Sequence, residues 1–210
     1  MHYDDIFRID VVENVIFYSD GHSLKVTPAC IRELMLHLRH GDFYRINRNT
    51  ILNLRYVTEF DGNTLYTGNP LNGTPFVISR EYRALEEQFC YIGSIRLRKI
   101  ANISHYLFIY DGKRYHVHHV SEIISAKSAR AYTRIILRDG KEYLLSYSLG
   151  RITLYLPSEW FVRVNRRTTI NVMHVTLCRR TFLIAGNERI PVGKGKRAEI
   201  LSAMKNAGLI

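Results

Sequence analysis

The residues richest in chemical meaning are arginines and asparagines in a stretch that occurs twice. Phe43-Tyr44-Arg45-Ile46-Asn47-Arg48-Asn49-Thr50-Ile51-Leu52-Asn53 returns 118 residues later as Phe161-Val162-Arg163-Val164-Asn165-Arg166-Arg167-Thr168-Thr169-Ile170-Asn171. Phe, Arg, Asn, Arg, Thr and Asn recur in register, six identities in eleven positions, which marks two copies of one module. A guanidinium offers a planar fork of donors suited to phosphate and to guanine O6/N7. Asparagine, serine and threonine beside it can donate to phosphate oxygens. This is recognition chemistry rather than bond-breaking chemistry. No nucleophile elbow, P-loop or paired-carboxylate signature accompanies it, so an enzyme is not expected. His116 and His118 share a strand face, with His119 next to them, but no second histidine or cysteine motif completes a metal site. No metal or cofactor is expected.

The elements that must position these residues read mostly as strands. Ile6 to Val12, Val15 to Tyr18 and Leu24 to Thr27 are β-branched and aromatic runs broken by turn residues. Thr27 and Pro28 open a helix whose apolar Ile31, Leu34, Met35 and Leu38 share a face, and Gly41 ends it. The repeated stretch follows as a strand, Tyr44 to Leu52, then a hairpin around Asp61-Gly62-Asn63, Phe76-Val77-Ile78, and a short helix from Ser79 to Phe89. The later copy repeats the order. It adds a hairpin first, Leu107 to Tyr110 and Arg114 to Val120, and has Phe161 to Ile170 as its repeated strand, then Thr181 to Ala185, Arg189 to Val192 and a helix from about Gly195 to Asn206. The expected organisation is a first domain at 1–90, a basic connecting segment at 91–106 that packs rather than flexes, and a second domain at 107–210. The first copy starts where the second is already one hairpin in, so an unpaired sheet edge is expected there.

Charge divides along the same line. Residues 1–90 hold 9 Lys/Arg against 12 Asp/Glu, and residues 91–210 hold 21 against 7. A second half at +14 calls for a polyanion, with nucleic acid favoured over a merely solvated basic face. No apolar run reaches a membrane span, and Met-His-Tyr-Asp-Asp has no leader character. Three scattered cysteines suit reduced thiols, and the expected location is the cytoplasm.

Phe-x-Arg-x-Asn-Arg-x-Thr, followed by Asn, resembles the LytTR family, a bacterial DNA-binding module. In that family's pattern a Val-Ser-Arg follows about 25 residues on; Val77-Ile78-Ser79-Arg80 matches it closely and Val192-Gly193-Lys194 loosely. Asn47 and Asn165 stand where the family usually has histidine. The resemblance implies a mostly β fold with short helices: two tandem LytTR-like elongated antiparallel β-sheet domains, whose loops and helix starts carry side chains to DNA. By position it implies DNA contacts from Arg48 and Arg166, with Asn49 and Arg167 beside them, and from Arg80 and Lys194 in the second motif. A third family contact maps to the loop around Arg130 to Thr133, and Lys196 and Arg197 fall as phosphate neighbours. Arg45 and Arg163 read as stems packed on the sheet, and Asn53 and Asn171 as turn-tying residues.

The expected function is therefore transcription regulation through sequence-specific binding of double-stranded DNA, two modules reading half-sites of a direct repeat about 10 bp or a multiple apart. The alternative keeps DNA for the basic second domain and gives the acidic first domain to a protein partner or self-association through its open edge. A third reading makes the chain a protein-interaction module without DNA.

Overall fold

The computed structural model describes residues 3–38, 42–68, 74–82, 90–92, 105–110 and 113–210. The chain divides into two compact units, Met1–His118 and His119–Ile210.

In the first unit, β1 (Ile6–Asp10), β2 (Val15–Tyr18), β3 (Ser23–Lys25), helix α1 (Pro28–His37), β4 (Phe43–Arg45) and β5 (Thr50–Asn53) follow one another. The five strands form one antiparallel sheet in the order β3-β2-β1-β5-β4. Thr27 caps α1 as its sequence predicts, its hydroxyl accepting from the Cys30 backbone N–H at 3.3 Å with Pro28 at the first turn. Ile31, Leu34 and Leu38 of the helix bury against Ile6, Ile9, Ile16 and Ile51 of the sheet.

A second sheet gathers β6 (Val57–Phe60), β7 (Thr64–Thr67), β8 (Pro75–Val77), β9 (Cys90–Ile92), β10 (Tyr106–Tyr110) and β11 (Tyr115–His119) in the order β8-β7-β6-β11-β10-β9. Here the β10–β11 hairpin, which in chain order heads the later copy, closes on the earlier one. Tyr115 pairs with Phe60 and His116 with Glu59, antiparallel. Tyr106, Phe108 and Val117 enter the same core as Phe7, Leu52, Val57, Phe60 and Leu65, with Phe108 edge-on to Phe60 at 6.1 Å. Cys90–Ile92 runs parallel to β10, and the rest of the connecting segment, 93–104, lies outside the described residues. So does most of the expected helix Ser79 to Phe89, of which Arg80 to Tyr82 is described as a helical turn.

The second unit writes the same fold again: β12 (Ile123–Ala129), β13 (Tyr132–Leu137), β14 (Glu142–Leu145), α2 (Leu149–Thr153), β15 (Phe161–Asn165), β16 (Thr168–Asn171), β17 (Val175–Cys178), β18 (Phe182–Ala185), β19 (Glu188–Pro191) and α3 (Lys196–Asn206). Its five-stranded order, β14-β13-β12-β16-β15, is that of β3-β2-β1-β5-β4. The registers coincide too: Phe43↔Asn53 and Tyr44↔Leu52 correspond to Phe161↔Asn171 and Val162↔Ile170. Even the irregularity is repeated, a bulge after Ile6 and after Ile123. Sheet β17-β18-β19 matches β6-β7-β8 and stops at three strands. Ile200 and Met204 of α3 pack on Val164, Ile170, Val172, Leu183 and Ile190.

The repeated stretch is a hairpin in both units rather than the continuous strand its apolar alternation suggests. Its asparagine makes the bend: Asn47 Oδ1 accepts the N–H groups of Asn49 and Thr50, both at 2.8 Å, which turns the chain between β4 and β5. Asn165 Oδ1 accepts from Arg167 at 2.8 Å in the same way. Asn53 and Asn171, at 2% and 0% exposure, tie the next turn; Asn53 accepts from Arg55 N–H at 3.0 Å and donates to Ile6 O at 2.8 Å.

Candidate nucleic-acid interface

Turning the repeated stretch into a hairpin puts Arg48-Asn49 and Arg166-Arg167 at its tip, where all four side chains are exposed. The arginine two places earlier in the pattern holds that tip. Arg163 Nε and Nη2 donate to the carbonyls of Asn165 and Arg166 at 3.3 and 2.7 Å, and Arg45 makes the same pair of bonds to Asn47 and Arg48. Their guanidiniums are therefore engaged with the loop backbone, not solvated heads on packed stems. The tip is fixed while its own arginines stay outward, an arrangement that lowers the cost of ordering a contact loop.

The second motif is fastened beside the first by one repeated bond. Ser79 N–H donates to Ile46 O at 2.9 Å, and Gly193 N–H to Val164 O at 2.8 Å. Asn165 Nδ2 adds a bond to Pro191 O at 2.7 Å. These bonds bring Arg80 next to the Arg48 tip and Lys194 next to the Arg166 tip. In the first unit Asp10, Asn47, Arg48, Asn49, Thr50, Ser79, Arg80 and Glu81 line one cleft. The β1–β2 and β12–β13 hairpins join through Val11 N–H to Asn49 O at 2.7 Å and Ser128 N–H to Arg167 O at 2.8 Å.

Charge separates the two clefts. In the first, Arg48 pairs with Glu81 at 3.3 Å and Asp10 lies alongside, so two cations face two anions. At the matching positions the second unit has Arg166, Gly195 and Lys127, with Arg167 replacing Asn49 and Lys194 replacing Arg80. Lys127 is paired with Glu188. Among the described residues no carboxylate pairs with Arg166, Arg167 or Lys194. The motifs alone do not reveal Lys127; its position emerges only when β12 is laid on β1.

The remaining expected contacts fall in different places. Arg130 is exposed at the tip of the β12–β13 hairpin with a positive φ of 59°, and that hairpin runs two residue pairs beyond its first-unit counterpart. Thr133 is fully buried, its hydroxyl donating to Tyr147 O at 2.7 Å, so it braces the hairpin and presents nothing to a ligand. The reason is strand alternation: Tyr132 and Arg134 take the outward face of β13. Arg197 is exposed on the first turn of α3, and Lys196 is held by Glu199, Nζ lying 2.7 Å from both carboxylate oxygens. Gly195, at φ 79°, starts α3 without a side-chain cap, leaving first-turn N–H groups beside Lys194. No cluster of three or more His, Cys, Asp or Glu suited to a metal occurs among the described residues, and none of their helices is long and apolar enough to cross a membrane.

Residues 113–205 match the family model of the LytTr DNA-binding domain. That stretch is a LytTR domain. The match spans the hairpin strand β11 and nearly all of the second unit, just under half of the chain. Among solved structures, a LytTr DNA-binding domain of a methyl-accepting/DNA response regulator from Bacillus cereus aligns at 19% identity and a TM-score of 0.39, over 49% of this chain and 96% of that one. No curated protein matches the chain. The LytTR match rests on the second unit; the first repeats that unit's sheet order, registers and turn bonds.

Proposed function

We propose that this chain is a sequence-specific transcription regulator whose second unit is its principal DNA-reading head. The observation that carries the reading is the pair of clefts. The LytTR-matched unit gathers Arg166, Arg167 and Lys194 on a bonded loop frame with no facing carboxylate, while the same frame in the first unit is charge-balanced. Arg166 and Lys194 make base-edge or phosphate contacts, Arg167, Lys196 and Arg197 neutralise neighbouring phosphates, and Arg130 reaches a flanking groove from its hairpin tip. Lys196 exchanges Glu199 for phosphate, a small cost for an exposed pair. The protein works in the bacterial cytoplasm, carries out no catalysis of its own and uses no cofactor.

A second reading makes the first unit a weaker head on the adjacent half-site of a direct repeat. It is favoured by one observation: Arg48 and Arg80 sit on the same bonded frame as Arg166 and Lys194. Selection from a random duplex pool at two salt concentrations, followed by sequencing, tests both. Enrichment of one half-site supports the principal reading, and a direct repeat spaced by about 10 bp or a multiple supports the second. Salt-steep retention with no enriched sequence would reduce the function to backbone binding. No retention at low salt would remove DNA from the account.

A further inference from the structure

The two units differ at one edge. Strand β6 of the first unit is covered by β11, whereas the matching strand of the second unit, β17, pairs with β18 alone. The register shows what that edge offers. Arg179 N–H bonds to Phe182 O at 2.8 Å and Leu177 lies opposite Ile184, so the N–H and C=O of Cys178 point away from β18. Phe60 holds that position in the first unit, and there its outward groups meet Tyr115 of β11. The fold already shows this edge accepting an antiparallel strand.

Natural edge strands are protected by charge, proline or cover. The first unit's edge carries Glu59, facing His116 and ion-paired with Arg114. The second unit's edge reads Val175-Thr176-Leu177-Cys178, uncharged, with Leu177 in place of Glu59. Val175 and Cys178 are partly exposed, while Val57 and Phe60 are 3% and 2% exposed under the hairpin.

We infer that β17 is a homodimerisation edge, pairing antiparallel with β17 of a second copy to continue β19-β18-β17 into a six-stranded sheet. Since Cys178 points outward, the two-fold axis passes through Leu177. Leu177 then faces Leu177 of the other copy in a non-hydrogen-bonded pair, with Thr176 opposite Cys178 on either side. The edge suits its own copy: two leucines meet at the axis with no charge between them. The two Arg179 side chains stand about 13 Å apart, four residues at about 3.3 Å each, beyond the ~8 Å screening length of physiological salt. The sequence placed an open edge and self-association on the first unit; the strand order places the open edge on the second. The inference stands independently of DNA binding.

Sedimentation of the full chain at tens of micromolar tests it, with circular dichroism and melting as controls. The wild type is expected at twice the chain mass. Leu177→Glu, which copies the residue this fold already holds at position 59 but sets two carboxylates face to face, is expected at the chain mass. The exposed Thr176→Lys gives a second route to the same result. In a Cys178→Ser background, Leu177→Cys should oxidise to a covalent dimer, because directly opposed residues bring their Cα atoms within disulfide range. A wild type at the chain mass throughout overturns the inference, as does a dimer that survives both edge substitutions. Capture of a different protein by a monomeric wild type also overturns it and assigns the edge to that partner.

Discussion

The two units share a backbone frame and differ in what stands on it. Phe, Arg, Asn, Arg, Thr and Asn keep their places because each is occupied in building the tip: asparagine bends it, the first arginine braces its carbonyls, and the last asparagine ties the following turn. Positions that leave the frame outward have diverged: Asp10 against Lys127, Asn49 against Arg167, Glu81 against Gly195. Repetition of a motif therefore speaks first for a repeated turn. Function is read from the outward positions, and there the second unit is cationic where the first is neutral.

The comparison breaks most sharply if the basic cleft is removed. Replacing Arg166 and Lys194 together by alanine should weaken DNA binding by about 2–5 kcal/mol and lower the salt slope by about two, with little change in melting. The matching pair Arg48→Ala and Arg80→Ala should cost about 1 kcal/mol or less, because Arg48 already has a carboxylate partner. Fluorescence anisotropy titrations of both double variants decide it. Equal losses would make the two clefts equivalent heads, and wild-type affinity in the Arg166/Lys194 variant would end the assignment.

The shared frame makes its own prediction for stability. Asn53→Ala and Asn171→Ala each strand a buried acceptor and a turn N–H, at about 2–3 kcal/mol. Asn53 should be the costlier, since its bond to Ile6 O is 2.8 Å against 3.4 Å from Asn171 to Val120 O. Denaturant midpoints check the order. A smaller change sharpens the electrostatic contrast. Glu81→Gln frees Arg48, and should raise DNA affinity by about 1 kcal/mol or less at low salt, with the gain fading as salt rises. No gain at any salt would mean that the first cleft does not meet DNA.

Much of this architecture was legible in the sequence because a 118-residue repeat carries two readings of every element. The α1 cap at Thr27 and the turn role of Asn53 followed from residue type alone. The hairpin within the repeat was hidden because Ile46, Ile51 and Leu52 alternate like one strand, while the bend depends on a single asparagine side chain. Strand β17 was passed over as short and bounded by no strong turn signal, although moving Val57–Phe60 along by the repeat lands on it. Thr133 read as a contact for its polarity near a loop, but the face it takes depends on register. Pairing of β11 with β6 joins strands more than fifty residues apart, and nothing in either strand's composition names its neighbour.

The smallest expected difference lies at Tyr44, whose place the second unit fills with Val162. Burial, reinforced by the neighbouring Tyr82, holds the Tyr44 phenol well above the usual tyrosine range, and its hydroxyl donates to Tyr82 O at 2.8 Å. A group whose folded-state pKa is raised contributes stability that is whole below its unfolded value, about pH 10, and is lost as pH climbs from there toward the folded value. The wild type should therefore exceed Tyr44→Phe by about 1 kcal/mol near neutrality, the worth of one hydrogen bond. That margin should shrink from about pH 10 upward, because the unfolded wild type gains an ionisation that phenylalanine lacks. Taking the difference between the two proteins cancels the other tyrosines, which both retain. Urea midpoints measured across this range would show it. A margin that stays constant would mean that Tyr44 meets solvent as readily as an exposed tyrosine, and that the tip of the first unit is less firmly seated than its counterpart around Val162.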